Sequence, residues 1–119
     1  DHQYKNTSFD RDPEGIFGSF EWQVATYQND LSAMNTADAG VFLYDVENVD
    51  DGTAFELGFM RAMHKPAIVV LLSENGLEGK ELNLMIARGG TYFMTDINEL
   101  ATYDFNHFPT NPLPDMDVI

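Results

Sequence analysis

The sequence predicts an α/β fold built on a parallel sheet, and three observations carry the prediction. Residues 39–44 and 67–72 form two short, almost wholly apolar runs, the second rich in β-branched side chains, which suits central strands buried on both faces. Between them Phe55, Phe59, Ala62 and Met63 recur at helical spacing. Strand, helix and second strand in that order form a right-handed crossover with the strands parallel.

Along the chain, residues 1–15 are polar and rich in turn formers, with Asp12-Pro13-Glu14-Gly15 as a loop. Residues 16–34 carry Phe17, Phe20, Val24, Tyr27, Leu31 and Met34 at spacings of three and four, which predicts one long helix with a single apolar face. Asn35-Thr36-Ala37-Asp38 ends it, and a strand follows over 39–45. The loop 46–52 leads into a helix over 53–64, which His64-Lys65-Pro66 terminates because proline cannot continue it. After the strand 67–72 and a polar loop over 73–79, residues 80–87 predict a short helix carrying Leu82, Leu84, Met85 and Ile86. Arg88-Gly89-Gly90 turns into a last strand over 91–95, and 97–103 predicts a further helical turn or two. The tail 104–119 combines Pro109, Pro112 and Pro114 with Phe105 and Phe108, which predicts an ordered extended segment lying on a surface.

Composition narrows the function. A chain of 119 residues with 44% apolar side chains suffices for one domain, 1–119, with a moderate core. Having no cysteine, it holds neither a disulfide framework nor a thiol nucleophile, which fits a reducing cytoplasm. No apolar run spans a bilayer, so no membrane partner is expected. A net charge of −14, from 20 acidic against 6 basic residues, repels phosphate backbones and argues against a nucleic-acid polymer as partner. No glycine-rich phosphate loop follows any strand, and His2, His64 and His107 have no metal-ligand spacing. No cofactor or metal is expected.

The chemistry concentrates in Asp50-Asp51-Gly52-Thr53-Ala54-Phe55-Glu56-Leu57-Gly58, at the strand-to-helix junction where open α/β sheets bind ligands. Two readings of Glu56 stand side by side. Thr53-Ala54-Phe55-Glu56 fits a capping box, in which threonine caps the helix and glutamate returns to its backbone N–H. Glu56 also fits a nucleophilic carboxylate in the first helical turn, kept ionised by the helix N-terminus.

Several blocks in order resemble a known family. Thr26-Tyr27-Gln28-Asn29-Asp30-Leu31, Gly40-Val41-Phe42-Leu43-Tyr44-Asp45, the run from Asp50 to Pro66, and Asn83-Leu84-Met85 look like the nucleoside 2-deoxyribosyltransferases, closest to the purine-restricted members. The resemblance implies a flavodoxin-like, doubly wound parallel sheet in three α/β/α layers. It implies exchange of the purine base of a 2′-deoxynucleoside for a free purine base through a covalent deoxyribosyl-glutamate intermediate. Residue by residue, Glu56 matches the nucleophile, Asp50 the acid that positions sugar and nucleophile, and Asp30 the acid near the base. Gly52 falls in the substrate-binding motif. Asn83 and Met85 match residues that reach into a neighbouring subunit's site, and the C-terminal carboxylate, here on Ile119, is expected near the sugar 5′-hydroxyl. The resemblance also implies a homo-oligomer, commonly a hexamer built from dimers, with activity that depends on assembly.

The reaction itself asks for these residue types. Glycosyl transfer with retention uses one carboxylate to attack the anomeric carbon and a second group to protonate the leaving base. Structural alternatives accompany each residue: Asp30 as an exposed helix residue, Asp50 and Asp51 as turn residues, Asn83 as a surface amide and Met85 as core filler. The strand-helix-strand unit with which the family begins has no counterpart here, so the sheet is expected to be N-terminally incomplete, with the edge of the Phe42 strand exposed and the chain part of a longer polypeptide. Two other functions fit the same residues: hydrolysis of 2′-deoxynucleoside 5′-monophosphates, and a non-catalytic nucleoside-binding or assembly domain.

Overall fold

A computed structural model describes residues 18–119. The expected loop at Asp12 to Gly15 and the first helical residues, Ile16 and Phe17, lie outside the described residues. The chain divides after Ala37 into two compact units.

In the first unit, helix α1 spans Phe20–Thr36. It starts where Ser19 caps it, the hydroxyl accepting the Trp22 N–H at 3.2 Å, and ends as Ala37 turns to extended backbone. Of the apolar stripe expected for this helix, Phe20 and Val24 are exposed.

The second unit is built on three parallel strands, β1 (Gly40–Asp45), β2 (Ala67–Leu72) and β4 (Tyr92–Met94), in the order β1-β2-β4. Gly40 pairs with Ala67 through to Asp45 with Leu72, and Ile68 to Val70 pair with Tyr92 to Met94. Central β2 is buried from Ala67 to Leu71, as its β-branched run predicts. Strand β1 is, among the described residues, an edge strand, as expected, but it is not buried on both faces: it alternates, with Phe42 and Tyr44 buried while Val41 and Leu43 are 43% and 49% exposed.

One face of the sheet is covered by α2 (Asp51–Ala62) and α3 (Leu84–Gly89), through buried Leu57, Met60 and Ile86. These helices approach closely because residue 89 is glycine: a β-carbon there would stand 2.7 Å from Leu57 Cδ2. On the other face Ile68, Val70 and Met94 pack against Leu100, Tyr103 and Phe108, contributed by the 3-10 turn Ile97–Ala101 and the segment after it. Register fixes that division, since paired residues of neighbouring strands share a face.

Two local expectations are corrected. Helix α2 begins at Asp51, capped by Asp50, whose Oδ1 accepts the Gly52 N–H at 2.8 Å; the Thr53 hydroxyl donates to Asp50 Oδ2 at 3.1 Å. Thr53 is therefore not the cap, the Thr53–Glu56 capping box does not form, and Glu56 falls in the second turn. A capping box does form at Asp96 and Glu99. The second correction concerns residues 80–87. Instead of one helix they give a short strand β3 (Glu81–Leu82), then Asn83 as cap of α3, its Oδ1 accepting the Met85 N–H at 2.8 Å.

The cause of β3 lies far along the chain: the tail returns as β5 (Asp117–Val118) and pairs with it in parallel. The tail is extended, as expected, and Asn111 adds a parallel bridge to Tyr92 at the edge of β4. The Tyr103 hydroxyl donates to the Pro109 carbonyl at 2.8 Å. Among the described residues, no helix is long and apolar enough to cross a membrane.

Candidate active site

The loops that follow β1 and β2 meet at the carboxyl end of the sheet, the ligand-binding end of open α/β folds. Asp50 stands at the start of α2, exposed, with both carboxylate oxygens turned to its own helix, one to Gly52 and one to Thr53. Gly52 leaves the cap room, since a β-carbon there would lie 3.2 Å from Asp50 Oδ1.

Beside α2 lies an open cavity of about 880 Å³, lined among others by Tyr44, Asp51, Arg61, Asn83, Met85 and Ile119. Met85 and Ile119 are 73% and 64% exposed at its mouth. The Ile119 carbonyl accepts the Leu84 N–H at 2.6 Å, which ties the tail to the start of α3. The Tyr44 hydroxyl is raised above its ordinary pKa by burial and so stays protonated. The structure thus brings Asn83, Met85 and Ile119 together, from segments more than 30 residues apart, on a wall that α2 completes.

Glu56 is not on that wall. The cavity side of α2 carries Asp51, Ala54, Gly58 and Arg61, and at 3.6 residues per turn Glu56 points roughly 160–200° from Ala54 and Gly58. The buried stripe of Leu57 and Met60 runs between the two flanks. Glu56, half-buried, shares its flank with Phe59 and Met63, at i+3 and i+7. Asp30 lies in the last half of α1, in the first compact unit, and is half-buried.

Glu47 is the functional-end residue that the sequence did not reveal. Its carboxylate gathers donors from Ser73, Glu74, Asn75 and Lys80, and hydrogen bonds, that from Asn75 foremost, hold its pKa down to about 2. Nothing local marks it, because every one of these partners lies 26 or more residues away.

A cavity beside the helix that starts at the carboxyl end of a parallel sheet is the ligand-binding place of an open α/β protein. Residues 6–85 match the family model of nucleoside 2-deoxyribosyltransferase. The chain belongs to that family, whose members are pentosyltransferase enzymes. It is 42% identical over 120 residues to the nucleoside deoxyribosyltransferase of Limosilactobacillus fermentum, covering 99% of this chain and 71% of that protein. It is 36% identical to the enzyme of the same name from Lactobacillus johnsonii, covering 88% of this chain and 68% of the relative. Among solved structures, the 2-deoxyribosyltransferase of Bacillus psychrosaccharolyticus superimposes with a TM-score of 0.73 at 35% identity, over 86% of this chain and 71% of that one. The expected family, parallel-sheet α/β fold and enzyme class are all met.

Proposed function

We propose that the protein exchanges the purine base of a 2′-deoxynucleoside for a free purine, with Glu56 as nucleophile. The observation that carries the reading is the folding of the Asp50-to-Gly58 motif at the carboxyl end of β1, in a chain that belongs to this family. In the first half-reaction a Glu56 carboxylate oxygen attacks the anomeric carbon, the glycosidic C–N bond breaks, and Asp30 delivers a proton to the departing base. In the second, the incoming base attacks the same carbon, releases Glu56 and returns a proton to Asp30. Two inversions give overall retention. Asp50 orients sugar and nucleophile from the helix cap.

The opposite placement of Glu56 and the Asn83, Met85 and Ile119 wall about α2 supports a shared site. In this reading the wall serves the Glu56 of a neighbouring copy, in a homo-oligomer that we take to be a hexamer of dimers, working in the cytoplasm. Exposed Val41 and Leu43 on β1, with Phe20 and Val24 on α1, provide further apolar surface for covering. A 2′-deoxy sugar suits this apparatus, because without the electronegative 2′-hydroxyl its cation-like transition state needs less electrostatic help. Apolar walls including Phe59 and Met85 favour a base over water as acceptor.

Incubation with deoxyadenosine and hypoxanthine is expected to give deoxyinosine and adenine, and Glu56→Ala to abolish the exchange. Normal turnover by that variant would refute the nucleophile. Release of free deoxyribose phosphate from a deoxynucleotide, without a base acceptor, would instead establish the hydrolase.

A further inference from the structure

Four groups converge on the Glu47 carboxylate. Its Oε1 lies 2.9 Å from the Ser73 hydroxyl and accepts the Glu74 N–H at 2.9 Å, while Oε2 accepts from Asn75 Nδ2 at 2.9 Å and pairs with Lys80 Nζ at 3.2 Å. The residue is itself held, since its N–H donates to Asp45 Oδ1 at 2.9 Å. The Ser73 hydroxyl also lies 2.6 Å from the Gly76 carbonyl and has one proton to give, but a carboxylate bonded at once to a backbone N–H, a side-chain amide and an ammonium group is held more firmly than a lone surface ion pair, which contributes little.

The location gives the clasp its meaning. Glu47 belongs to the loop that ends in the cap Asp50, and its partners span residues 73–80 after β2. Lys80 directly precedes β3, which β5 holds from the other side through Asp117 and Val118, and Asn83 and Met85 follow it. The Glu47–Lys80 pair adds, on the N-terminal side of β3, an anchor that β5 and Ile119 supply on the other, so the segment that presents Asn83 and Met85 is held from both sides.

We propose that Glu47 is a positioning residue of the transfer reaction: it clasps the loop over 73–80 and so sets where Asn83 and Met85 stand relative to the Asp50 helix start. This rests on the proposed function for its kinetic consequence, though not for the clasp itself.

The test is Glu47→Gln in the full chain, read two ways. Hydrogen exchange should rise at residues 73–80 and also at the Leu84 and Met85 amides, which are otherwise bonded to Ile119 and Asn83. A neutral amide turns N–H groups toward Asn75 and Lys80, so the expected rise is on the order of tenfold, while Glu47→Asp, keeping the charge, recovers part of the protection. In base exchange, KM for the nucleoside should rise about tenfold with kcat changed less, inside the hundredfold that a 1 Å misplacement costs. Unchanged exchange at Leu84 and Met85, or faster exchange with the original KM, would overturn the proposal. An inactive wild-type protein would sink the transferase reading alone, since amide exchange still decides the clasp. Should Glu47→Gln not fold, Lys80→Met cuts a single link and is read in the same way.

Discussion

Asp50 carries two duties that substitution can separate. As cap, its Oδ1 holds the Gly52 N–H and its Oδ2 the Thr53 hydroxyl. As a charge, it is proposed to orient sugar and nucleophile. Asp50→Ala removes both, and loss of an N-cap costs about 1 kcal/mol. For a chain of 119 residues that corresponds to a melting temperature lower by about 4 °C. Asp50→Asn keeps an Oδ1 acceptor for Gly52, and its amide N–H can donate to the Thr53 oxygen, so it caps as well as Asp does. Its melting temperature should stay within about 2 °C of the wild type, the effect of roughly 0.5 kcal/mol. Base exchange, followed by chromatographic separation of purines, should nevertheless fall on the order of a hundredfold in both variants, because the charge is gone in both. An Asp50→Asn protein with full exchange activity would leave Asp50 as a cap and nothing more. An Asp50→Ala protein that melts with the wild type would refute the cap.

Three further outcomes follow from local geometry. Gly89→Ala places a methyl group against Leu57 Cδ2 and should destabilise by about 1–3 kcal/mol in urea titration; Leu57→Ala in the same chain should remove much of that clash. His64 ends α2 at φ 60°, where the Lys65 N–H reaches the Met60 carbonyl at 3.0 Å, so His64→Gly relieves left-handed strain and should be neutral to about 1 kcal/mol stabilising by thermal melt. Because the folded-state pKa of Glu47 lies below its ordinary 4.5, its contribution is fully present above pH 4.5 and is lost as pH falls through about 2. Loop amides over 73–80 should thus keep their protection from pH 6 to pH 4, with Asp45, Glu74 and Lys80 as the neighbouring charges; collapse already at pH 5 would contradict the clasp.

Strands β1 and β2, the crossover between them and the tail's extended course were legible because each rests on side-chain pattern over a continuous stretch. What pairing decides was not. Residues 80–87 have the apolar spacing of a helix, yet Glu81 and Leu82 are drawn into a strand by Asp117 and Val118, which no local pattern announces. Asn83 was a readable signal, since asparagine caps helices far better than it continues them. At α2 two side chains competed for one cap, and Asp50 prevailed over Thr53 with a charged acceptor closer to the first free N–H groups. Glu47 was invisible because its role exists only once two distant loops meet.

The displaced helix start changes the electrostatic argument for the site. The positive end of the helix acts within its first turn, which here contains Asp51 and adjoins the cap Asp50, whereas Glu56 lies a turn further on. The field expected to favour an ionised nucleophile therefore acts on the two aspartates instead. For Glu56 the decisive feature becomes the flank of α2 that it occupies, beside Phe59 and Met63 and away from the Asn83 and Met85 wall. On the proposed roles, a nucleophile on one flank and the Asn83, Met85 and Ile119 wall on the other leave a single chain with two half-sites that face apart. Activity should then depend on assembly: dilution that dissociates oligomers, followed by light scattering, should lower specific exchange activity in step with the fraction of monomer. A fully active monomer would show that α2 does not divide the site.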